Sequence, residues 1–127
     1  MVDDEPMVRQ YIARILRETG YMVVEAEDAP QAISVLEQPG HTIKLIVCDL
    51  VMPGMSGLDL AQHVARRWTG TRMLFVSGYP REALVNHGIY HPKITLLAKP
   101  FLPSRLLEAV EELRSGAVPD IGVQLTL

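Results

Sequence analysis

The stretch of residues 45–57 limits the possible folds of this chain more than any other part of the sequence. It opens with four apolar residues, two of them β-branched, and then reaches a carboxylate at Asp49. A short run of this kind predicts a strand buried on both faces of a parallel sheet, with Asp49 at its carboxyl end. Because an unpaired charge at the end of an apolar strand is costly, we expect polar partners at the ends of neighbouring strands.

Such partners follow other apolar runs. Asp3 and Asp4 come after a short apolar start, while Ser77 and Lys99 each follow a later apolar run. In an open α/β sheet, ligands bind beyond the carboxyl ends of the strands, where the strand order reverses. We therefore expect these side chains to meet in one site.

The rest of the chain alternates predicted strands with predicted helices. Strands are predicted at 1–2, 21–25, 45–48, 73–76 and 94–98. Apolar spacing predicts helices over 6–19, after Asp28 up to a stop at Pro39-Gly40, through 60–68, over about 80–86 and over 103–114. This alternation predicts an α/β fold with a doubly wound, five-stranded parallel sheet and helices on both faces. The flavodoxin-like strand order 2-1-3-4-5 fits because only the second strand, at the edge, lacks a polar residue of the proposed site.

Composition limits the classes of function. The chain has 127 residues, 48% of them hydrophobic, which suits one packed domain. A net charge of -3 with scattered Lys and Arg argues against direct nucleic-acid binding. One cysteine, no charged leader and no long apolar span favour a cytoplasmic location without membrane contact.

The predicted domain covers residues 1–116, and residues 117–127 form a tail or linker. The predicted first strand has only two residues before the acidic pair, whereas strands usually have five or six. We therefore expect the first strand to be truncated at its start.

Four motifs together resemble the signature of response-regulator receiver domains in two-component signalling. They are Val2-Asp3-Asp4-Glu5-Pro6, Asp49 with Met52-Pro53 and Gly57, Ser77-Gly78-Tyr79, and Lys99-Pro100-Phe101. The phrase at 75–80 is similar to receivers fused to hybrid sensor histidine kinases. The resemblance covers the chain up to the helix ending near Arg114.

Three carboxylates at one strand edge repel one another unless a cation lies among them. Oxygen ligands without nearby His or Cys favour Mg²⁺, with Mn²⁺ possible. The resemblance implies that Asp4 and Asp49 are direct ligands, that Asp3 acts through water, and that the Val51 backbone carbonyl is a further ligand. The alternative for Asp3-Asp4 is a helix N-cap pair.

By the same resemblance, Asp49 accepts a phosphoryl group from a histidine kinase or phosphotransfer domain, which can belong to the same polypeptide. Lys99 and the Ser77 hydroxyl would contact the phosphate, and a cis Lys99-Pro100 peptide would aim the ammonium group. The domain would be a switch that assists its own phosphorylation and dephosphorylation, rather than a turnover enzyme. Phosphorylation would change the surface formed by the fourth helix, fifth strand and fifth helix.

One position departs from the receiver pattern. Three residues before the lysine, many receivers have an aromatic residue, whereas this chain has Leu96. Tyr79 or Tyr90 would have to replace that residue in an aromatic switching step. Val51 and Tyr79 are bulky and apolar, so we expect them to hinder hydrolytic water and slow self-dephosphorylation.

Other classes of protein fit less well. A phosphorylation-independent adaptor domain with the same fold is the main alternative. A hydrolase of the haloacid dehalogenase type would need a second aspartate at Val51, and a flavodoxin would need a Ser/Thr/Gly-rich loop after the first strand. Cys48 is expected to be a small buried apolar residue, and the four histidines lack metal-ligand spacing.

Overall fold

The computed structural model describes residues 1–52, 54–79, 83 and 95–115 of the chain. The predicted tail 117–127, most of the predicted short helix at 80–86 and the first residue of the predicted strand 94–98 lie outside these ranges. The described elements are, in chain order, α1 (Pro6–Glu18), α2 (Ala29–Leu36), β1 (Leu45–Asp49), α3 (Gly57–Arg67), β2 (Arg72–Ser77), β3 (Leu96–Ala98) and α4 (Pro103–Ser115). The α/β alternation expected from the sequence is therefore present.

Local signals in the sequence set the helix ends. Pro6 begins α1, and Gly20 follows it with φ of 106°, a conformation that glycine adopts without strain. The Asp28 side chain accepts a hydrogen bond from the Gln31 amide and so caps α2. Ser56 and Asp59 form a reciprocal capping box at the start of α3.

The sheet is parallel, and its three strands lie in the order β1-β2-β3. These correspond to the third, fourth and fifth predicted strands, which lie next to one another in that sequence, while the five-stranded sheet and its full order 2-1-3-4-5 stay predictions. Isolated parallel bridges join Val2 to Ala26 and to Cys48. The first predicted strand is therefore represented by the bridges of Val2 rather than by a strand, and Ala26 lies one residue beyond the second predicted strand.

The predicted strand 21–25 does not form. Ala26 is the residue directly after this run. Its amide donates to the Met1 carbonyl at 2.9 Å, and its carbonyl accepts from the Asp3 amide at 3.1 Å. The Met1 amino group donates to the Val24 carbonyl at 3.0 Å, but residues 21–25 are not assigned to a strand. A segment with a strand-like sequence forms a strand only where a neighbouring segment supplies the inter-strand hydrogen bonds.

Apolar clusters cover the sheet on both faces. One cluster packs α2 and α3 against Ile46, Cys48 and Phe75. The other packs α1 and α4 against the alternate strand residues Val47 and Leu74. Alternate strand residues thus serve opposite faces, as the continuous apolar runs predicted. Among the described residues, no helix combines the length and apolar character that crossing a membrane requires.

A cavity of about 400 Å³ lies where β1 begins, between that strand and residues 21–24. Its lining is mainly apolar and includes Leu45, Val47 and the base of α4 at Val110. The polar residues singled out by the sequence lie at the other end of the strands.

Candidate functional site

The strands end at nearly the same level on one edge of the sheet. Asp49, the last residue of β1, pairs with Val76, so Ser77 ends β2 one residue further on. Ser77 in turn pairs with Ala98, and the next residue, Lys99, donates its backbone amide to the Ser77 carbonyl at 2.7 Å. The parallel register therefore delivers Asp49, Ser77 and Lys99 to one edge.

The loop before α1 brings two more carboxylates to this edge. Oxygen atoms of Asp3, Asp4 and Asp49 all lie within 4.8 Å of one another. Asp3 is fully buried and Asp49 is 7% exposed, whereas Asp4 is exposed to solvent. The meeting of these three residues expected from the sequence is present in the structure.

The alternative that Asp3 and Asp4 are an N-cap pair is wrong. The N-cap of α1 is Glu5, and its side chain makes no capping hydrogen bond. Asp3 instead accepts the Glu5 amide through Oδ1 at 2.9 Å, while its Oδ2 faces Lys99. Asp3 and Asp4 therefore lie outside the helix and belong to the acidic cluster.

Lys99 is the cation that contacts the cluster. Its Nζ lies 3.3 Å from Asp3 Oδ2 and 3.6 Å from Asp49 Oδ2. The Lys99-Pro100 peptide is cis, as the resemblance implied. A single ammonium group thus faces two of the three carboxylates.

Burial changes the pKa of Asp49 more strongly than the neighbouring Lys99 does. Loss of hydration is the main cause that raises the pKa of Asp49 from 3.8 to about 6. Lys99 opposes this increase, Asp3 and Asp4 add to it, and the Val51 amide, which donates to Asp49 Oδ1 at 3.2 Å, lowers it. Without a further cation, the site therefore favours the charged form of Asp49 less than water does.

Ser77 and Tyr79 form a second part of the site. The Ser77 hydroxyl is buried and accepts a hydrogen bond from the Tyr79 amide at 3.1 Å. Accepting that bond leaves the hydroxyl proton free to be donated. Tyr79 itself is 58% exposed, and Val51 is half-buried.

A cavity of about 520 Å³ opens over the acidic cluster. It is lined by Asp4, Glu5, Val8, Asp49, Val51, Met52, Gly78, Tyr79 and Lys99. Asp3 and Ser77 do not line this cavity, since both are buried behind its wall. The nucleophile candidate Asp49 and the cation Lys99 are thus both accessible to a small ligand.

The donor atoms suit a small hard cation. Within the described part of the chain, three carboxylate groups converge and one ammonium group, that of Lys99, pairs with them, which leaves the cluster with excess negative charge. Oxygen donors of this kind fit Mg²⁺ or Mn²⁺. Cys48 lies next to Asp49, but burial raises its thiol pKa and Sγ donates to the Asp49 carbonyl at 3.1 Å. It is a buried apolar residue, as expected.

Other residues singled out by the sequence lie away from the cluster or outside the described ranges. His41 and His63 flank the Trp68 ring, with ring centroids 6.2 and 6.0 Å from it. Leu96 begins β3 and packs partly against the cluster of α2 and α3. His87, Tyr90 and His91 are outside the described residues.

Sequence reasoning missed Arg9. Its Nη1 donates to the Asp3 carbonyl at 2.8 Å, so a residue of α1 holds the acidic loop. The available signal was a basic residue six positions after Asp3, inside the helix that follows the acidic pair.

Comparisons with known proteins agree with this geometry. Residues 1–111 match the family described as the response regulator receiver domain. The sensor kinase CckA of Brucella abortus is 33% identical over 113 residues, which cover 89% of this chain and 12% of that protein. The transcriptional activator protein ExaE of Pseudomonas putida is 32% identical over 120 residues, covering 91% of this chain and 54% of that protein.

A solved structure is similar as well. The receiver domain of the hybrid histidine kinase CckA has a TM-score of 0.71 and 33% identity, and the match covers 87% of this chain and 93% of that domain. The present chain thus spans from about an eighth to about half of the length of the two curated relatives, but nearly all of that receiver structure. On the match of residues 1–111, this chain belongs to the response regulator receiver domain family.

Proposed function

We propose that this domain is a Mg²⁺-dependent phosphoacceptor in which Asp49 receives a phosphoryl group from the phosphohistidine of a histidine kinase or a phosphotransfer domain. The observation that carries the proposal is Lys99 Nζ between Asp3 and Asp49, beside an acidic cluster that opens to a cavity. Receiver domains are phosphoacceptor switch domains of two-component systems, generally phosphorylated on Asp, and they bind Mg²⁺ at their acidic pocket.

Asp4 and Asp49 would hold the metal directly, Asp3 through water, and the Val51 carbonyl would be a further ligand. Mn²⁺ could replace Mg²⁺, since both accept an all-oxygen site. When bound, the metal supplies positive charge that offsets the carboxylates and neutralises phosphate oxygens. The convergence of three carboxylate groups within 4.8 Å supports this assignment.

In the proposed step, a carboxylate oxygen of Asp49 attacks phosphorus, and an acyl phosphate bond forms. The bond from phosphorus to the donor histidine nitrogen breaks, and its electron pair returns to the imidazole. Lys99, already 3.6 Å from Asp49, pairs with the incoming phosphate charge, and the Ser77 hydroxyl donates to a phosphate oxygen. Positioning and charge neutralisation do most of the work in phosphoryl transfer.

The same contacts give the domain two states. The hydrogen bond from Ser77 to the phosphate exists only after phosphorylation, so it favours a new position of Ser77 and the following loop. This movement would change the surface made by the predicted fourth helix, by β3 and by α4. Leu96 has no hydrogen-bonding ring, so we propose that Tyr79 or Tyr90 replaces it if the switch includes an aromatic step. Unmoved amide resonances around Ser77 after phosphorylation would contradict the switch.

Tyr79 is also the proposed shield of the acyl phosphate. Its amide bonds to Ser77 Oγ, and both Tyr79 and Val51 line the cavity beside Asp49. Their bulk would obstruct water that approaches in line with the phosphorus. We expect Tyr79→Ala to lose its phosphoryl group faster than wild type, as measured by the decay of the phosphorylated mass. An unchanged decay rate would refute the shielding role.

The likeness to CckA favours a parent protein of the hybrid histidine kinase type, in which the donor lies in the same polypeptide. We propose a cytoplasmic location, where a free buried thiol such as Cys48 stays reduced. We also propose that the receiver domain covers residues 1–116 and that residues 117–127 serve as a tail or linker.

Incubation with acetyl phosphate and MgCl₂, followed by intact mass spectrometry, tests the proposal. Wild type should gain the mass of one phosphoryl group, and neither EDTA-treated wild type nor Asp49→Asn should gain it. The second candidate function is a phosphorylation-independent adaptor with the same fold. Absence of any Mg²⁺-dependent mass gain on wild type would overturn the phosphoacceptor proposal and favour the adaptor.

A further inference from the structure

Arg9 joins three parts of the chain near the acidic cluster. Nη1 donates to the Asp3 carbonyl at 2.8 Å, and Nε lies 3.4 Å from Glu25 Oε1. The Arg9 side chain is only 14% exposed, so these contacts are shielded from water. The guanidinium therefore connects α1, the loop before it and the segment leading to Ala26.

The contact with Asp3 is made to the peptide group that links the two acidic residues of the loop. The Asp3 carbonyl carbon is bonded to the Asp4 nitrogen, so fixing that carbonyl fixes the plane from which the Asp4 side chain departs. Asp4 is the most exposed of the three carboxylates, whereas Asp3 and Asp49 are buried. The Arg9 guanidinium is a rigid, charged donor to this peptide, and it therefore restrains the direction of the Asp4 side chain.

Arg17 provides a natural comparison within the same structure. It also pairs with Glu25, at 2.9 Å to Oε2, and it donates to the Val23 carbonyl at 2.9 Å. It is 48% exposed, and its hydrogen bonds do not involve the acidic loop. The two arginines thus share one carboxylate, but only Arg9 contacts the peptide between Asp3 and Asp4.

We propose that Arg9 is a positioning residue for the metal site, fixing the Asp3–Asp4 peptide so that both carboxylates point toward Asp49. Glu25 helps to hold the guanidinium in place through the ion pair between its Oε1 and Arg9 Nε at 3.4 Å. This inference rests on the Mg²⁺ site of the proposed function. Groups that orient metal ligands typically change metal affinity by about 10- to 100-fold when removed.

Isothermal titration of the metal-free protein with MgCl₂ tests the proposal in wild type, Arg9→Gln and Arg17→Gln. We expect Arg9→Gln to raise the Mg²⁺ dissociation constant at least about tenfold. Arg17→Gln should stay within about twofold of wild type, because the contacts it loses, to Glu25 and to the Val23 carbonyl, are exposed and lie outside the acidic loop. Equal weakening in both variants would assign the effect to Glu25 and overturn the proposal. Wild-type affinity in a folded Arg9→Gln would also overturn it.

The rate of phosphorylation by acetyl phosphate separates positioning from general loss of structure. In Arg9→Gln, the Mg²⁺ concentration for half-maximal rate should rise, while the rate at saturating Mg²⁺ should approach that of wild type. A lowered rate at saturation with an unchanged half-maximal concentration would contradict a role in positioning the metal ligands.

Arg9→Lys provides a second variant that keeps the charge and the helix-forming stem. A lysine is a point charge and cannot hold both contacts in a fixed fork, so Mg²⁺ binding should weaken, though less than in Arg9→Gln. Full wild-type affinity in Arg9→Lys would overturn the need for the guanidinium. Failure of wild type itself to bind Mg²⁺ would instead count against the proposed function.

Discussion

Replacing Asp49 by Asn should stabilise the metal-free domain at alkaline pH. Asp49 is 7% exposed, and burial raises its pKa from 3.8 to about 6. The folded state therefore favours the protonated carboxyl, and the charged form is disfavoured relative to the unfolded chain. Asn has nearly the same shape and cannot ionise, so it removes this penalty.

The expected gain in stability of Asp49→Asn follows from the shift in the pKa of Asp49. The difference between 3.8 and about 6 corresponds to a free-energy penalty of about 3 kcal/mol at pH 8, where Asp49 is ionised in both states. Asn keeps an oxygen that can accept from the Val51 amide, but it loses the ion pair with Lys99, which retains Asp3. We therefore expect a net gain of about 1–3 kcal/mol for Asp49→Asn at pH 8.

The sign of the pH dependence follows from the raised pKa. The contribution of Asp49 to stability is fully present below 3.8, where the carboxyl is protonated in both states, and is lost as the pH rises through about 6. The advantage of Asp49→Asn over wild type should therefore be largest at pH 8, about half as large near pH 5, and small near pH 4.

Urea unfolding in EDTA, followed by the fluorescence of Trp68, measures the difference at each pH. Glu18→Gln is a suitable control, since that side chain is 66% exposed and pairs only with Arg14 among the described contacts; it should change stability by less than about 0.5 kcal/mol. Equal stability of Asp49→Asn and wild type at pH 8, or a gain that does not vary with pH, would refute the reasoning. Adding Mg²⁺ at 100 times its dissociation constant should stabilise wild type by about 2.7 kcal/mol, with a smaller effect on Asp49→Asn.

Further predictions concern packing, capping and charge. Gly57→Ala should destabilise the domain by about 1–3 kcal/mol, because an added Cβ would lie 2.7 Å from the Asp49 carbonyl oxygen, whereas Gly70→Ala meets nothing within 4 Å and should be nearly neutral in the same urea assay. Asp28→Ala should cost about 1 kcal/mol through loss of the α2 cap, with Asp28→Asn close to wild type in thermal unfolding. Lys99→Met should raise the pKa of Asp49 further, as followed by ¹³C NMR of its carboxyl, because the ammonium group that opposes burial is removed; an unchanged value would contradict the assigned cause.

Short-range signals in the sequence predicted where several of the candidate residues lie in the fold. The apolar run ending at Asp49, the glycines that follow it and the cap at Asp28 are all local features, and each has the expected place in the structure. Parallel strands then bring Asp49, Ser77 and Lys99 to one edge because of the fold itself. Alternation of strands and helices was therefore sufficient to predict which side chains meet.

Contacts that depend on distant backbone were not predictable in this way. Residues 21–25 have a strand-like composition, yet a strand requires a neighbour in register, and the described part of the chain has only a single bridge next to this run, between Val2 and Ala26. Arg9 lies at a position where a solvated charge is the usual outcome. Only the folded loop shows that it reaches the Asp3 carbonyl, since a basic residue six positions after Asp3 does not by itself specify that contact.

The backbone hydrogen bonds of Val2 hold the loop that carries Asp3 and Asp4 against β1, which carries Asp49. Val2 donates to the Val47 carbonyl at 2.7 Å and accepts from the Asp49 amide at 2.9 Å, immediately before Asp3. Transient opening of these two hydrogen bonds would move Asp3 and Asp4 away from Asp49, while β2, β3 and the helices packed on them kept their places. Hydrogen exchange at the Asp49 amide would then report how often the ligand cluster comes apart, separately from global unfolding.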